Sequence, residues 1–495
     1  MPARHLALHV AAPERVAVAL ERLRAELEID PGFPPEVTAE AEAAADAPPS
    51  PVPELDATDV PFVTIDPSGS HDLDQALHIQ PDGEGYLVRY AIASLATFVT
   101  PGGALDREVH ERGVTVYGPA GAFPLHPPAL SAGAASLLPD QDRPAYLWQL
   151  RLDRAGQLVR ARVEHAMVRS RAQLTYEQVQ AAHDDGGALP VGVPEHMPML
   201  LRTVGELRQK IERARGGVSL DIPEQRVEEN DHGFTLTHRA TLPAEGWNAQ
   251  ISLLTGMAAA EMMLEAGVGV LRTLPPADPR DVARLRRTAK ALGIDWPEET
   301  TYSELLRTLD SAVPSHAAFL DEATLLFRGA GYLALGVGER SDAGEQEPNT
   351  RHAAIAAHYA HVTAPLRRLV DRYALEVCRA HCAGTEVPAW VLDALPGLPR
   401  TMARTTRRAN AFERGAVDAL EALVLERHVG EVFDGVILET DDGERDGVQR
   451  GTVAVGSAAV QGRVEGENLP VGERVRVKLV SVDVPERRTL FEVVP

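Results

Sequence analysis

Three aspartates stand close together in one short segment, at a spacing that could hold a metal ion. The segment, FVTIDPSGSHDLDQALHI, runs from Phe62 to Ile79 and contains Asp66, Asp72 and Asp74. A β-like run ends in Asp66, a Pro-Ser-Gly-Ser turn follows, and Asp72 and Asp74 are predicted to lie on a second β-run. Because residues i and i+2 of a strand face the same side, this pair is expected to converge with Asp66 across the turn.

Three carboxylates in a small volume repel each other unless a divalent cation lies among them, and oxygen ligands favour Mg²⁺ or Mn²⁺. In phosphodiester hydrolysis such ions, about 4 Å apart when there are two, activate the attacking water and stabilise the leaving oxygen. The structural alternative is that Asp-Pro-Ser-Gly only forms a turn, with Asp72 as a cap. The aspartates by themselves favour this alternative.

Helices and short strands are predicted around this segment. Residues 13–28 form one amphipathic helix, residues 35–47 are rich in alanine and glutamate, and the proline-rich residues 48–60 are a linker. Short strands are predicted at Phe62–Ile65, Tyr86–Ile92 and Tyr146–Leu152. Helices are predicted at Gln178–Ala182, Pro198–Ala214, Asn248–Leu264, Pro279–Leu292, Ala353–Ala380 and Arg400–Arg427. About five strands follow in residues 430–495, which is the size of a small OB-type barrel.

Composition limits the kind of protein. The chain has 495 residues without a run of about 18 apolar ones and without a secretory cleavage site, so no membrane span is predicted and the cytoplasm is the expected location. The net charge of -23 argues against a surface that binds nucleic acid everywhere; a local basic channel, with Arg280–Arg287 and Arg400–Arg408 as candidates, would be needed. Cys378 and Cys382, with His381 between them, are interpreted as buried helix thiols, because metal signatures need more ligands.

Four segments, taken in order, resemble motifs of one known family. The first is TIDPSGSHDLDQA, with its threonine-isoleucine-aspartate and the aspartates that follow. The second has a tyrosine before a proline-rich loop and reads LDREVHERGVTVYGPAGAFPLHPPALSAGAASLLPDQDRPA. The third is HYAHVTAPLRRLVDRY, and the fourth, a final helix that leads into the barrel, is RRANAFERGAVDALEALVLERHVGEVFDGVI. These segments resemble the ribonuclease II / ribonuclease R family, and the resemblance covers Pro61 to Pro495.

The resemblance implies a set of catalytic acids. Asp66, Asp72 and Asp74 match three of the family's four, and Asp74 matches the one that the family can least spare. Gln75 stands where the fourth aspartate is expected. Its amide oxygen could ligate a metal, but it brings no charge, so the affinity for one ion is expected to fall.

The resemblance also implies residues that hold RNA. Arg367 matches the arginine that grips the scissile phosphate, and Tyr117 matches the aromatic residue that stacks on the 3′-terminal base. Glu413 matches a glutamate near the 3′ nucleotide, and His361 and Arg368 belong to the same group of RNA-binding candidates. The structural alternatives are an ordinary arginine at a helix N-terminus, a core tyrosine and a charge on a helix surface.

Several positions depart from the family's motifs. Ser94 stands where an aspartate is expected, Ala364 and Leu369 replace a serine and a tyrosine, and Leu220 falls where an aromatic residue is expected. The residues before Pro61 are too few for the two cold-shock OB-folds of bacterial relatives. We therefore expect thin base stacking, a steep dependence of affinity on salt, and an entrance wide enough for duplexes with a short 3′ overhang.

The predicted fold class is α+β. Residues 1–47 form a small helical N-terminal region, residues 48–60 a linker, residues 61–429 an RNB-type catalytic domain with a mixed sheet wrapped by helices, and residues 430–495 an OB-fold RNA-binding domain.

The predicted function is 3′-5′ hydrolysis of RNA to nucleoside 5′-monophosphates with Mg²⁺, or Mn²⁺ as the second candidate. The predicted partner is RNA with a single-stranded 3′ end, and no membrane or obligatory protein partner is inferred. The alternatives are an RNA-binding adaptor that has lost catalysis and a metal phosphoesterase acting on small molecules.

Overall fold

The computed structural model describes residues 13–119, 121–218, 224–230, 233–239, 241–310, 313–336, 349–441, 448–455, 460–471 and 473–494. Leu220 therefore lies outside the described residues. The strands are β1 (Leu55–Ile65), β2 (Gln75–Asp82), β3 (Gly85–Ala93), β4 (Val116–Gly118), β5 (Gly121–Phe123), β6 (Asp142–Leu152), β7 (Leu158–Leu174), β8 (Glu224–Asn230), β9 (Gly233–Arg239), β10 (Gly269–Thr273), β11 (Gly331–Leu335), β12 (Val432–Thr440), β13 (Gln449–Val455), β14 (Val460–Gly466), β15 (Arg474–Asp483) and β16 (Arg488–Val494).

The helices lie before, between and after these strands. They are α1 (Pro13–Glu26), α2 (Pro35–Asp46), α3 (Ala104–Arg112), α4 (Tyr176–Asp185), α5 (Met197–Arg215), α6 (Pro243–Ala266), α7 (Pro279–Ala291), α8 (Tyr302–Leu306), α9 (Pro314–Ala323), α10 (Leu369–Ala383), α11 (Ala389–Ala394) and α12 (Leu398–Leu425). None of the helices in the described part of the chain is long and apolar enough to cross a membrane.

The first sheet is a closed barrel with the strand order β1-β2-β3-β6-β7. Strand β1 pairs with β7 in parallel, and the other neighbours are antiparallel. Tyr90, Tyr146 and Trp148 are among the largest side chains fully buried in its core. The predicted mixed sheet is confirmed. Strand β1 begins at Leu55, inside the predicted linker. The sequence pattern does not predict β7, because its four arginines and one glutamate obscure its apolar alternation.

Helices cover the outside of this barrel. Helix α6 is apolar around most of its circumference and is largely buried against α5 and α10. The prediction of one helix over Ala353–Ala380 is wrong, since α10 begins only at Leu369. Pro365 lacks a backbone N–H, and the N–H groups of Ala364 and Leu366 donate to aspartate side chains instead of to helical carbonyls. The segment before α10 is therefore a turn that can present side chains.

The N-terminal helix α1 packs against α12 and the C-terminal sheet. Val16, Leu20 and Leu23 of α1 share an apolar cluster with Phe412 and Leu420 of α12, which confirms the predicted helical region. Amphipathic spacing explains the packing, because residues three and four apart lie on one face. Ion pairs from Arg22 to Glu486 and from Arg487 to Glu26 connect α1 to the turn between β15 and β16.

The C-terminal sheet is a second closed barrel, with the order β12-β13-β14-β16-β15. Its strands are antiparallel neighbours except for the parallel pair β14 and β16. Val453, Val477, Leu479 and Phe491 fill its interior. The OB-type barrel predicted from alternating residues is confirmed.

Candidate active site

The three aspartates occupy the loop that joins β1 to β2 at one end of the first barrel. The backbone N–H of Asp66 donates to the Leu174 carbonyl at 3.0 Å, and the N–H of Ala93 donates to the Asp74 carbonyl at 2.9 Å. The prediction that Asp72 and Asp74 lie on a strand is wrong, because β2 begins only at Gln75.

The loop keeps its shape through side chains from other segments. Ser136 Oγ accepts from the Leu73 N–H at 2.9 Å and donates to the His71 carbonyl at 2.7 Å. The Gln173 amide donates to the Ser70 carbonyl at 2.8 Å. These bonds satisfy backbone groups that a strand would pair with a neighbouring strand. The segment from His71 to Asp74 therefore keeps a defined conformation without being a strand.

The carboxylates lie close enough to perturb one another. Burial and the charge of Asp72 raise the pKa of Asp66 to about 7, against the opposing effect of Arg367. Burial also raises the pKa of Asp74 to about 8, although Arg367 and the Leu366 N–H favour its charged form. Asp66 Oδ2 is buried and has no hydrogen-bond partner among the described residues. An unpartnered buried carboxylate oxygen beside further acids is a position that a cation would satisfy.

The carboxylate oxygens of this site fit a hard divalent cation whose remaining ligands are other oxygens. Within the described part of the chain, no three histidine, cysteine, aspartate or glutamate side chains form a ready metal cluster. Magnesium is commonly bound through one or two carboxylates together with substrate phosphates and water. Asp66 and Asp72, beside the buried Asp74, are therefore the residues that could hold such an ion together with phosphate oxygens and water.

A turn before α10 brings an arginine to the same place. The Leu366 N–H donates to Asp74 Oδ1 at 2.7 Å, and Arg367 Nε lies 3.4 Å from Asp74 Oδ2. The Arg367 side chain is 45% exposed, whereas that of Asp74 is 5% exposed. The guanidinium is thus anchored by a buried acid and still accessible to a phosphate.

Asp371 holds the other side of this turn. Its buried carboxylate accepts from the Ala364 N–H at 2.7 Å and from Arg368 in a bidentate pair at 2.8 and 2.9 Å. Arg368, predicted to bind RNA, therefore points back into the protein. Its partner Asp371 keeps the turn in place for Arg367.

Tyr117 lies on the exposed side of the site. It is 42% exposed on β4, and its hydroxyl interacts with Arg367. Behind the hairpin of β4 and β5, Phe123 and Phe412 meet edge to face with ring centroids 5.5 Å apart. Tyr117 is therefore not a core tyrosine, and its ring is available to a base.

Two other predicted RNA-binding residues have different surroundings. His361 Nδ1 lies 2.8 Å from the Tyr332 hydroxyl, and burial with the nearby Arg368 holds the pKa of His361 well below its usual range. The ring is therefore neutral and supplies no cation. Glu413 is exposed on α12 beside the buried Phe412, and no contact between Glu413 and the three aspartates is recorded among the described residues.

Gln75 is the first residue of β2, and both ends of its amide are occupied. The oxygen Oε1 accepts from the Tyr90 hydroxyl at 3.0 Å, and Nε2 donates to the Thr363 carbonyl. Sequence reasoning missed Tyr90, Thr363 and Ser136, because nothing local marks a buried polar residue as a partner of a distant loop.

The arginines predicted to line a channel are partly engaged in the protein. Arg284 pairs with Glu322 and Glu439, and Arg404 pairs with Glu111. Arg407 donates to a carbonyl of its own helix and remains exposed. Fewer of the predicted channel arginines are therefore available to bind phosphate than the sequence implied.

Comparisons with known proteins show which families this chain matches. The RNB domain family matches residues 55–382, and the RNase II-type exonuclease C-terminal S1 domain matches residues 431–494. Ribonuclease R of Thermotoga maritima is 28% identical over 82% of this chain and 58% of the relative. Ribonuclease R of Escherichia coli is 26% identical over 89% of this chain and 57% of the relative. The chain thus spans little more than half the length of these relatives.

Solved structures show the same fold. The apo form of Mycoplasma genitalium RNase R superposes with a TM-score of 0.82 at 20% identity, covering 97% of this chain and 78% of that one. A yeast pseudonuclease superposes with a TM-score of 0.63 at 15% identity, covering 88% of this chain and 52% of that one.

Proposed function

The chain belongs to the RNB domain family, and on this premise we propose that it is a hydrolytic 3′-5′ exoribonuclease. The observation that carries the proposal is the meeting of Asp74, the Leu366 N–H and Arg367 beside Asp66 and Asp72. The proposed products are nucleoside 5′-monophosphates, and the proposed location is the cytoplasm. A divalent cation is required in this proposal, with Mg²⁺ as the first candidate and Mn²⁺ as the second.

The relatives support RNA as the substrate. The curated relatives are ribonucleases R, and the Mycoplasma genitalium enzyme has been solved with single-stranded and with double-stranded RNA. For this chain we propose RNA with a single-stranded 3′ end, including structured RNA with a 3′ overhang, and no protein partner is needed.

The side chains at the scissile bond have different roles in this proposal. Arg367 grips the phosphate and stabilises the charge that develops on its oxygens, while Asp74 orients the guanidinium from the buried side. Tyr117 stacks on the terminal base and sets which phosphate reaches Arg367. The bound cation, held by Asp66 and Asp72 with Asp74 beside them, would supply the activation of water and the stabilisation of the leaving oxygen.

One observation favours an RNA-binding adaptor that has lost catalysis. Gln75 replaces one acid, and the yeast pseudonuclease shows that this fold exists without nuclease activity. Against this alternative, Asp66, Asp72 and Asp74 are all present, and Arg367 is accessible. A phosphoesterase for small molecules would leave the C-terminal S1-type barrel without a role.

The test uses 5′-labelled single-stranded RNA with Mg²⁺ and, in parallel, with a chelator. We expect a ladder that shortens from the 3′ end, nucleoside 5′-monophosphates as products, and loss of both in the chelator. Asp142→Asn, in an exposed ion pair with Arg169, is the matched control and should cleave like the wild type. Binding without cleavage would support the adaptor, and neither activity would support the phosphoesterase.

A further inference from the structure

Gln75 occupies a position whose chemistry differs from that of the neighbouring acids. The Thr363 carbonyl can only accept a hydrogen bond, so the amide group that faces it must be the NH₂. The amide oxygen then faces the Tyr90 hydroxyl, which donates to it at 3.0 Å. The orientation of the Gln75 side chain is therefore determined by its two partners.

These partners are themselves fixed. Tyr90 is 1% exposed and Thr363 is 4% exposed. Ser252 of α6 donates to Thr363 Oγ1 at 2.8 Å and also interacts with the Tyr90 hydroxyl. Gln75 thus joins β2 and β3 of the barrel to α6 and to the turn before α10 through one small buried network.

Adjacent residues of β2 and its preceding loop hold both ends of that turn. Asp74 accepts from the Leu366 N–H, and Gln75 donates to the Thr363 carbonyl. Arg367 directly follows Leu366, so its guanidinium can stand against Asp74 only while this short turn keeps its shape. An ionised carboxylate at position 75 would have no N–H to offer and would face the carbonyl oxygen.

We propose that Gln75 is a positioning residue for Arg367 and not a metal ligand. Its amide fastens the turn that carries the phosphate-gripping arginine, and the acidic set of this site consists of three carboxylates. The assignment of Gln75 as a ligand, which follows from the position of the family's fourth aspartate, is replaced by this role. The proposal rests on the proposed function only where Arg367 is said to hold phosphate.

The first experiment measures the turn without metal or RNA. In Gln75→Glu, which keeps the side-chain length and removes the donor, we expect hydrogen exchange at the Leu366 amide to become roughly 10- to 100-fold faster, because a buried carbonyl loses its partner. Gln149→Glu is the matched control, since it removes an amide that donates to Glu164 at 3.1 Å on the barrel wall, away from the turn before α10. Exchange at Leu366 should be unchanged in this control.

The second experiment distinguishes a positioning role of Gln75 from a role as a metal ligand. For Gln75→Glu we expect weaker RNA binding in a chelator, a lower kcat at saturating metal, and an unchanged metal concentration for half-maximal rate. A ligand role predicts the opposite: a lower metal requirement, because a charge has been added, with Leu366 exchange as in the wild type. That combination would overturn the proposal.

Tyr90→Phe keeps the test decisive if Gln75→Glu does not fold. It retains the buried ring and removes only the hydroxyl that orients the amide, so Leu366 exchange should accelerate in the same direction by a smaller factor. Unchanged hydrogen exchange at Leu366 in Tyr90→Phe and in any folded variant of Gln75 would refute the positioning role of Gln75. If the wild type cleaves no RNA, the proposed function fails, but the exchange result still decides whether Gln75 holds the turn.

Discussion

The described part of the chain contains two five-stranded closed barrels, of which the first carries the candidate active site. Both are closed with one parallel pair of strands, β1 with β7 in the first and β14 with β16 in the second. Both have apolar interiors. Their strand architecture therefore does not explain the difference.

The difference lies in the polar groups at the barrel ends. In the first barrel, Ser136 and Gln75 hold loops through buried hydrogen bonds, and Asp74 is itself buried. In the second, charged side chains pair with one another in exposed positions, as Arg450 does with Glu465. Buried polar contacts restrict loop geometry much more than exposed ion pairs do, so they can preorganise a site.

The aromatic side chains divide in the same way. Tyr117 beside the first barrel is exposed, whereas Phe433 and Phe491 of the second barrel meet edge to face at 6.3 Å, with Phe491 fully buried. We predict that the second barrel binds RNA weakly. This binding would depend on charge and hence on salt, since these rings contribute to the core.

The largest expected effect is on catalysis by Asp74. Asp74→Asn should reduce RNA hydrolysis roughly 100-fold or more, while RNA affinity stays within a few-fold. The reason is that the Leu366 N–H takes the one remaining oxygen, so that an amide NH₂ faces Arg367 in place of an acceptor oxygen. Asp441→Asn, in an exposed pair with Arg463 beside the second barrel, is the control and should have no effect. Single-turnover cleavage measures the rate. If Asp74→Asn keeps a tenth of it, Asp74 is not central.

The next effect concerns pH and metal. The pKa of Asp66 is raised to about 7, against about 3.9 in an unfolded chain, so the folded state binds this proton more tightly. Its contribution to stability is complete below about pH 4 and is lost as pH rises through 7. The free energy of unfolding of metal-free wild type should therefore fall over this range relative to Asp66→Asn. Urea denaturation of both proteins at several pH values measures the difference in their free energies of unfolding. Buried histidines such as His126 contribute in the opposite direction, but they contribute equally to both proteins and cancel in the difference.

Glu421 provides the comparison for this experiment. It is buried on α12, interacts with the Gln461 backbone, and burial raises its pKa to about 8. Glu421→Gln should flatten the pH dependence in the same direction. Only Asp66→Asn should also reduce the stabilisation that Mg²⁺ gives at pH 8. If Mg²⁺ stabilises both variants equally, the cation does not bind at Asp66.

A smaller effect is expected from single hydroxyl groups. Ser136→Ala leaves the Leu73 N–H and the His71 carbonyl without their partner and should lower the free energy of unfolding by roughly 1–3 kcal/mol. Thr452→Val is the matched change in the second barrel, where the hydroxyl donates to the partly exposed Glu439 at 3.2 Å, and its cost should be smaller. Equal costs would mean that the loops of the two barrels are held equally.

The smallest expected effect is on the cleavage register. Tyr117→Ala should lose roughly 1–3 kcal/mol of stacking and change the length of the final product more than the initial rate. Tyr117→Phe retains the ring and should give the wild-type product. Phe433→Leu in the second barrel should also leave the product length unchanged. Product lengths on a sequencing gel decide the matter, and an unaltered end product in Tyr117→Ala would assign the register to another residue.

The sequence by itself determined many of the elements and the candidate acids. Alternating apolar residues predicted the C-terminal barrel, helical spacing predicted α1 and α12, and the spacing of Asp66, Asp72 and Asp74 singled out the segment that joins β1 to β2, although not its loop conformation. These features are local, since the side-chain period of a strand or helix is visible within a short window. The exposure of Tyr117 beside the site agrees with the role that the resemblance implied.

Only the tertiary structure decided how the site is held. The bond from Leu366 to Asp74 spans 292 positions and the bond from Gln75 to Thr363 spans 288, so no local pattern could indicate them. The bond from Leu366 to Asp74, together with the local bonds that Asp371 accepts from Ala364 and Arg368, makes the segment before Leu369 a turn where periodicity predicted a helix. Arg368 points inward in this turn, while Arg367 remains exposed. A backbone or amide group takes whichever partner the fold brings near it, and that partner depends on the closed barrel and not on the neighbouring sequence.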